Sequence, residues 1–182
     1  MIDALDRSPY RDNTVIILWS DHGFHLGEKD HIEKFALWEK TTHIPFVIVD
    51  PRCADSAGKT CSSPVDTTVI YPTLVELCGL PANPANDGIS VAVQVRNPEQ
   101  PVGRPALMNY GKGNHAVRSE RWRYIRYDDG TEELYDHEDD PHEWANLAAD
   151  PESAGTIATH RKWLPKTDVP TAPDLERKRR RR

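Results

Sequence analysis

The sequence of 182 residues predicts an α/β fold in which a first unit mixes strands with helices and a second unit consists of short strands. In the first unit, residues 14–19 and 43–49 are short apolar runs bounded by turn residues, as expected of strands buried in an α/β sheet. In the second, residues 106–136 hold four short strand-like runs separated by turn signals, which is typical of an antiparallel sheet.

In the first unit, residues 1–8 have the pattern of a helix end, and Pro9 terminates it. The strand at 14–19, which we expect to be buried on both faces, leads into a glycine-bearing loop and a helical stretch around 34–40, and the strand at 43–49 follows. Asp66 is predicted to cap the next helix, which ends at Gly79. Leu74, Leu77 and Cys78 of that helix are expected to face the core.

Residues 82–105 are rich in Pro, Asn and Gly and are predicted to be a linker. Strands follow at 106–110, 115–118, 122–127 and 132–136, with a hairpin turn ending at Gly130. Asp150 is predicted as the N-cap of a closing helix that reaches about Leu164. We therefore predict a core unit at 1–81, a linker at 82–105, a small antiparallel unit with its helix at 106–165 and a disordered basic tail at 166–182.

Charge and hydropathy exclude several classes of protein. The net charge is -6 although residues 177–182 are all basic, so the rest of the chain is strongly acidic, and we expect no nucleic-acid partner. No apolar run approaches the roughly 20 residues of a membrane span, and the first residues lack the pattern of a secretory signal. We expect no membrane partner and, by default, a soluble cytoplasmic chain. Cys53, Cys61 and Cys78 lack metal-site spacing and are expected to be free thiols, although Cys53 and Cys61 could pair in an exported protein.

An Asp-His pair, Asp21 and His22, stands directly after the first strand. In open α/β sheets ligands gather outside the carboxyl ends of strands, so this pair is placed to hold one. The alternative is an aspartate that caps the next turn and a histidine that satisfies it. A zinc cluster of His22, His25 and His31 is a third reading, but Gly23 makes a helical register doubtful and no cysteine lies near. We expect His25 to line a pocket or pack and His31 to be exposed.

A longer pattern consists of separate segments in a fixed order, which are 20–29, Lys34, 37–39, 43–48, 64–66, 71–74, 77–81, 87–88, 114–118, 122–125 and 133–136. Together these segments closely resemble the C-terminal half of the sulfatases, and most of all the iduronate-2-sulfatase and choline-sulfatase type. The resemblance implies an alkaline-phosphatase-like fold, here the C-terminal part of the main mixed sheet plus a small antiparallel β subdomain with a closing helix.

The same resemblance implies roles for four residues. Asp21 and His22 match two ligands of the family's metal, which is calcium, and Lys34 matches the lysine that contacts the sulfate group. Since a histidine nitrogen is less usual for calcium, another divalent cation stays open on chemical grounds. His115 is expected to face the pocket mouth and help select the substrate. Arg118, Trp122 and Tyr124 are expected to pack and hydrogen-bond within the sheet.

The implied activity is metal-dependent hydrolysis of a sulfate ester carried by a small molecule or a sugar. The family's nucleophile is a formylglycine made from a Cys/Ser-x-Pro-x-Arg motif, and this chain has none, because proline follows Cys61 and Cys78 one place late. We expect the chain to be inactive alone, to need an N-terminal sulfatase half as partner, and to expose apolar surface around Val15, Ile17 and Phe46. The alternatives are a phosphoester or phosphonate hydrolase of the same superfamily and a non-catalytic remnant or interaction module.

Overall fold

The computed structural model describes residues 1–169, which form two antiparallel sheets connected by short helices. The helices are α1 (Ile2–Asp6), α2 (Glu39–Thr42), α3 (Ile70–Leu77), α4 (Ala92–Arg96) and α5 (Ala154–Arg161). The strands are β1 (Ile16–Trp19), β2 (Phe46–Val49), β3 (Ala106–Asn109), β4 (His115–Arg118), β5 (Trp122–Arg126) and β6 (Glu132–Asp136). Among the described residues, no helix has the length and apolar character needed to cross a bilayer.

The first sheet consists of β1 and β2 alone, paired so that Leu18 lies opposite Val47. Both strands are shorter than predicted, and β2 begins only after Pro45, which has no N–H to donate to a ladder. The prediction that β1 is buried on both faces is wrong for residues 1–169, since Leu18 is 59% exposed and Val47 46% exposed. Exposed apolar surface at this sheet is confirmed, but the most exposed side chains differ from those expected. They are Leu18, Trp19, Val47 and Val49.

The second sheet has the order β3-β4-β5-β6, is antiparallel throughout and is covered on both faces. The face that we name the loop face carries Ala116, Ile125 and Tyr135, which pack against Leu37. The opposite face, named the helix face, carries Val117, Tyr124 and Leu134, which pack against Ile157 of α5. The four strands and the closing helix agree with the predicted antiparallel subdomain.

Helices α3 and α4, which lie between β2 and β3 along the chain, pack together. The Asp66 carboxylate accepts a hydrogen bond from the Thr68 N–H, as expected of a cap, and Leu77 is buried. The expected burial of Cys78 is wrong, because α3 ends at Leu77 and the cysteine lies exposed just beyond it. Helix α4 falls inside the segment predicted to be a linker, and the Val91 N–H just before it donates to Thr73 Oγ1 at 2.9 Å. The division of the chain into units stays a prediction.

The first residues of the predicted tail contact the four-stranded sheet and its first turn. Asp168 Oδ2 accepts a hydrogen bond from the Gly113 N–H at 2.6 Å and lies 3.2 Å from His115 Nε2. Residues 170–182, which include the basic run, lie outside the described residues.

Candidate functional site

The loop after β1 carries the Asp-His pair and is fixed by its glycine. The Gly23 N–H donates to the Thr41 carbonyl oxygen at 2.8 Å, which joins the loop to α2. A Cβ atom at Gly23 would lie 2.1 Å from the Lys40 carbonyl oxygen, so a larger residue cannot approach α2 this closely. The glycine therefore sets the path of the backbone directly after Asp21 and His22.

The structure brings Asp21, His22 and Lys34 together. His22 Nε2 lies 3.5 Å from Asp21 Oδ2 and 3.0 Å from Lys34 Nζ. His22 Nδ1 lies 2.7 Å from the Gly23 carbonyl oxygen. Because a carbonyl oxygen only accepts, Nδ1 carries the proton of this contact, and the Nε2 lone pair can accept a hydrogen bond from the Lys34 ammonium. We name these three residues the half-site.

The chemistry of the half-site fits a divalent cation. The Asp21 carboxylate and the His22 Nε2 lone pair are both metal-ligand atoms, and the backbone contact at Nδ1 fixes the ring in the tautomer that a metal needs. Asp21 is 77% and His22 34% exposed on the side chain, so a cation and a further molecule could reach them. Two protein ligands fall short of a complete shell, so other groups must supply the rest.

Lys34 differs from its predicted setting, because α2 begins only at Glu39 and Lys34 lies in irregular chain. Its Nζ is 5.7 Å from the Phe35 ring centroid, and the Phe35 ring is 5.9 Å from that of Tyr110. These contacts place the turn between β3 and β4 beside the half-site. The four-stranded sheet therefore contacts the neighbour of Lys34, Phe35, through Tyr110.

Two further histidines of this loop pack together with Trp38. The His25 ring is 5.4 Å from the His31 ring and 5.5 Å from the Trp38 ring. His25 is buried, which agrees with the expectation that it packs. The expected exposure of His31 is wrong, because this contact partly covers its ring. Within residues 1–169, neither histidine belongs to a group of three or more metal-ligating residues, so the alternative of a zinc cluster gains no support.

The structure does not bring His115 to the half-site. In β4 its side chain alternates with that of Ala116, so it lies on the helix face, away from the loop. Its Nδ1 lies 2.6 Å from Asn109 Oδ1 and its Nε2 3.2 Å from Asp168 Oδ2, and the residue is 7% exposed. The contact with substrate expected of His115 stays a prediction that this position does not favour.

A second group of candidate metal ligands lies where the chain between β1 and β2 meets the loop face of the four-stranded sheet. Glu39, His137 and Glu143 place one ligand atom each within 4.8 Å of one another, and Glu143 is buried. Arg118 Nε lies 3.2 Å from Glu39 Oε2, which also accepts from Arg123 Nη2. Arg123 Nε lies 2.6 Å from Glu143 Oε1 without the angle of a hydrogen bond.

The two arginines make this group an ion-pair network. Burial alone would raise the pKa of Glu39, but the charges of Arg123 and Arg118 outweigh it and hold that pKa at about 2. Because these guanidinium groups already neutralise the carboxylates, a metal ion would have to displace them. We therefore interpret the network as structural.

Sequence reasoning did not predict this network or its neighbour Lys29. Glu39 belongs to the segments that resemble sulfatases, but nothing in the chain marks Arg123 or Glu143 as its partners more than 80 residues away. Such pairs form only after the strands are placed.

Comparison with known proteins gives matches to sulfatases. Residues 1–80 match the sequence model of the sulfatase family. A sulfatase of Formosa agariphila is 44% identical over 169 residues, and the match covers 93% of this chain and 33% of the relative. A choline-sulfatase of Rhizobium meliloti is 34% identical, with 87% of this chain and 32% of that protein covered. The chain is similar to these sulfatases along most of its length and spans about a third of the length of the curated relatives it matches.

Solved structures agree on the fold. A 2-O GAG sulfatase superposes with a TM-score of 0.75 at 26% identity, covering 90% of this chain and 38% of that one. A phosphonate monoester hydrolase of Agrobacterium radiobacter gives 0.75 at 26% identity, covering 88% and 36%. The predicted fold class, a portion of an alkaline-phosphatase-like sulfatase, is confirmed, and so is the resemblance to choline-sulfatase.

Proposed function

We propose that this chain is the C-terminal portion of a metal-dependent sulfatase, which hydrolyses a sulfate ester to an alcohol and inorganic sulfate. The observation that carries the proposal is the half-site, in which Lys34 and Asp21 both lie within 3.5 Å of His22 Nε2. The similarity of the chain to sulfatases supports it. As substrate we propose a sulfated small molecule or sugar.

Each residue of the half-site has a role in this reaction. Asp21 and His22 would hold the divalent cation, for which we propose Ca²⁺, and when bound it supplies neutralisation of the charge on the sulfate oxygens. Lys34 is exposed, and the rotatable stem of a lysine would let its ammonium turn from His22 to a sulfate oxygen. As a compact positive charge it would stabilise the negative charge that develops as the S–O bond breaks.

The nucleophile and the remaining metal ligands must come from another segment. We propose an N-terminal sulfatase segment, in the same polypeptide or as a separate chain, as the partner of residues 1–169. The exposed side chains of the β1–β2 sheet offer that segment an apolar docking surface. Without this segment we expect no turnover.

The test is a chimera in which this chain replaces the matching third of the Formosa agariphila sulfatase. Hydrolysis of an aryl sulfate is measured before and after Asp21→Ala and Lys34→Ala. Each change should lower kcat/KM by about 100-fold or more, because it removes charge stabilisation that the transition state needs. Lys40→Ala, which removes another exposed lysine of the same region, is the matched control and should leave the rate within about twofold.

Two other outcomes would replace the proposal. A chimera that hydrolyses an aryl phosphonate monoester faster than the aryl sulfate would favour the phosphonate hydrolase function, for which the Agrobacterium radiobacter structure is the supporting observation. A folded chimera that hydrolyses neither ester, while the parent enzyme is active, would favour the non-catalytic remnant.

A further inference from the structure

Within residues 1–169, positive φ at non-glycine residues is concentrated at one place. Among residues 1–169 the non-glycine residues with positive φ are Lys29 (57°), Asp30 (54°) and Glu143 (61°). They meet, because Lys29 Nζ donates a hydrogen bond to the Glu143 carbonyl oxygen. Left-handed backbone at such residues persists only where surrounding contacts hold it, and it occurs most often near functional sites.

The Lys29 ammonium is enclosed by aromatic rings. Its Nζ lies 4.9 Å from the Trp38 ring centroid and 4.6 Å from that of Tyr135, and it donates to the Tyr135 hydroxyl at 3.1 Å. Burial raises the pKa of Tyr135, helped by the nearby Glu133 carboxylate, so its hydroxyl stays protonated and donates a hydrogen bond to Glu133 Oε2. One end of segment 29–39 is thereby attached to the loop face of the four-stranded sheet.

The other end of the segment is attached to the same face. Arg123 Nη1 donates to the Leu37 carbonyl oxygen at 2.8 Å, and the Glu39 N–H donates to Glu143 Oε2 at 2.9 Å. Arg123 is 1% and Glu143 2% exposed, so both contacts are shielded from water. Lys34 lies between the two attached ends and is itself exposed.

We propose that Arg123 and Glu143 are positioning residues that, together with Lys29 and Glu39, hold Lys34 beside His22. This inference rests on the proposed function for the meaning of the half-site, but the contact itself can be measured without it. The four residues, which we name the clamp, carry two positive and two negative charges. Replacing both partners of a buried ion pair, such as Arg123 and Glu143, by apolar residues often leaves stability unchanged, so geometric precision is the role that we assign to the clamp.

The first experiment uses the full chain and the variants Glu143→Gln and Lys29→Met. Hydrogen exchange of residues 28–36 is measured by mass spectrometry, and the His22 to Lys34 contact by NMR. Both variants should speed exchange of this segment by about tenfold or more and weaken the contact, because the segment loses one attached end. Val117→Ala is the control, since it destabilises the helix face and touches no clamp residue.

An equal effect of Val117→Ala on residues 28–36, at matched loss of melting temperature, would overturn the proposal, as would unchanged exchange in a folded Glu143→Gln protein. Lys29→Met gives the same comparison where Glu143→Gln does not fold. In the chimera, Glu143→Gln should lower kcat by about tenfold or more with little change in KM, because a small displacement of a reacting group is costly. An inactive chimera with a loosened segment counts against the sulfatase function and leaves the clamp supported.

Discussion

The two sheets of this protein are made of similar apolar strands but have opposite surroundings. In the four-stranded sheet, Ala116, Val117, Ile125 and Leu134 are fully buried between the loop and α5. In the two-stranded sheet, side chains of the same kind remain about half exposed. The difference teaches that the apolar character of a strand indicates only that it needs partners, whereas the number of packed neighbours decides whether it is buried.

The largest test of this comparison removes the same side chain from each sheet. Leu134→Ala should lower the free energy of unfolding by about 2–5 kcal/mol, because it opens a cavity in a closed core. Leu18→Ala should cost less than about 1 kcal/mol, because its side chain is already 59% exposed. Urea denaturation followed by tryptophan fluorescence measures both, and equal losses would refute the contrast.

A second test uses acid, which acts on the loop face through Glu39. The pKa of Glu39 is lowered to about 2 in the folded protein, against 4.5 for a free glutamate. As pH falls, the unfolded state therefore binds the proton first. The associated stability is fully present above about pH 4.5 and is lost as pH falls to about 2. With its side chain 18% exposed, the contribution is about 3 kcal/mol.

Glu39→Gln is the variant that checks this assignment. It should lower the free energy of unfolding at pH 6. Between pH 4.5 and 2, the unfolding free energy of the variant should depend less steeply on pH than that of the unchanged chain. Glu99→Gln, at an exposed position away from the clamp, should leave the slope as it was. An unaltered slope in Glu39→Gln would show that other carboxylates cause the acid sensitivity.

A smaller effect is expected at the helix that closes the four-stranded sheet. The Asp150 carboxylate accepts the Glu152 N–H at 2.9 Å and caps the turn leading into α5. Asp150→Ala should therefore cost about 1 kcal/mol in unfolding free energy. Asp12→Ala removes a carboxylate that is 92% exposed and should change stability by less than about 0.5 kcal/mol. Equal melting temperatures for the two variants would contradict the capping role.

The smallest change in folding free energy should come from the exposed sheet, where association is the sensitive quantity. Val47→Lys should alter stability by less than about 1 kcal/mol but reduce self-association, because a charge on an exposed strand opposes edge pairing. Val93→Lys changes a similarly exposed valine on α4 and should leave association unchanged. Light scattering as a function of concentration compares them. If Val93→Lys reduces association equally, the β1–β2 sheet is not the contact surface.

The sequence predicted more of the site than of its support. Asp21, His22 and Lys34 follow one another within a single continuous segment, so their spacing and the resemblance to sulfatases marked them before the fold was known. His115 was selected by the same reasoning, but strand alternation turns it to the helix face. A register of one residue decides between the two faces, and motif spacing does not contain that register.

Local interactions were therefore determined by the sequence alone: the four short strands, the caps at Asp66 and Asp150, and the Asp-His pair at a strand end. These depend on neighbours a few residues apart, which the chain itself displays. Tertiary structure alone decided the clamp, in which Lys29 and Glu39 meet Glu143 across more than 100 residues. It also decided the exposure of β1 and β2, because burial depends on which other segments pack against a strand and not on the strand's own residues.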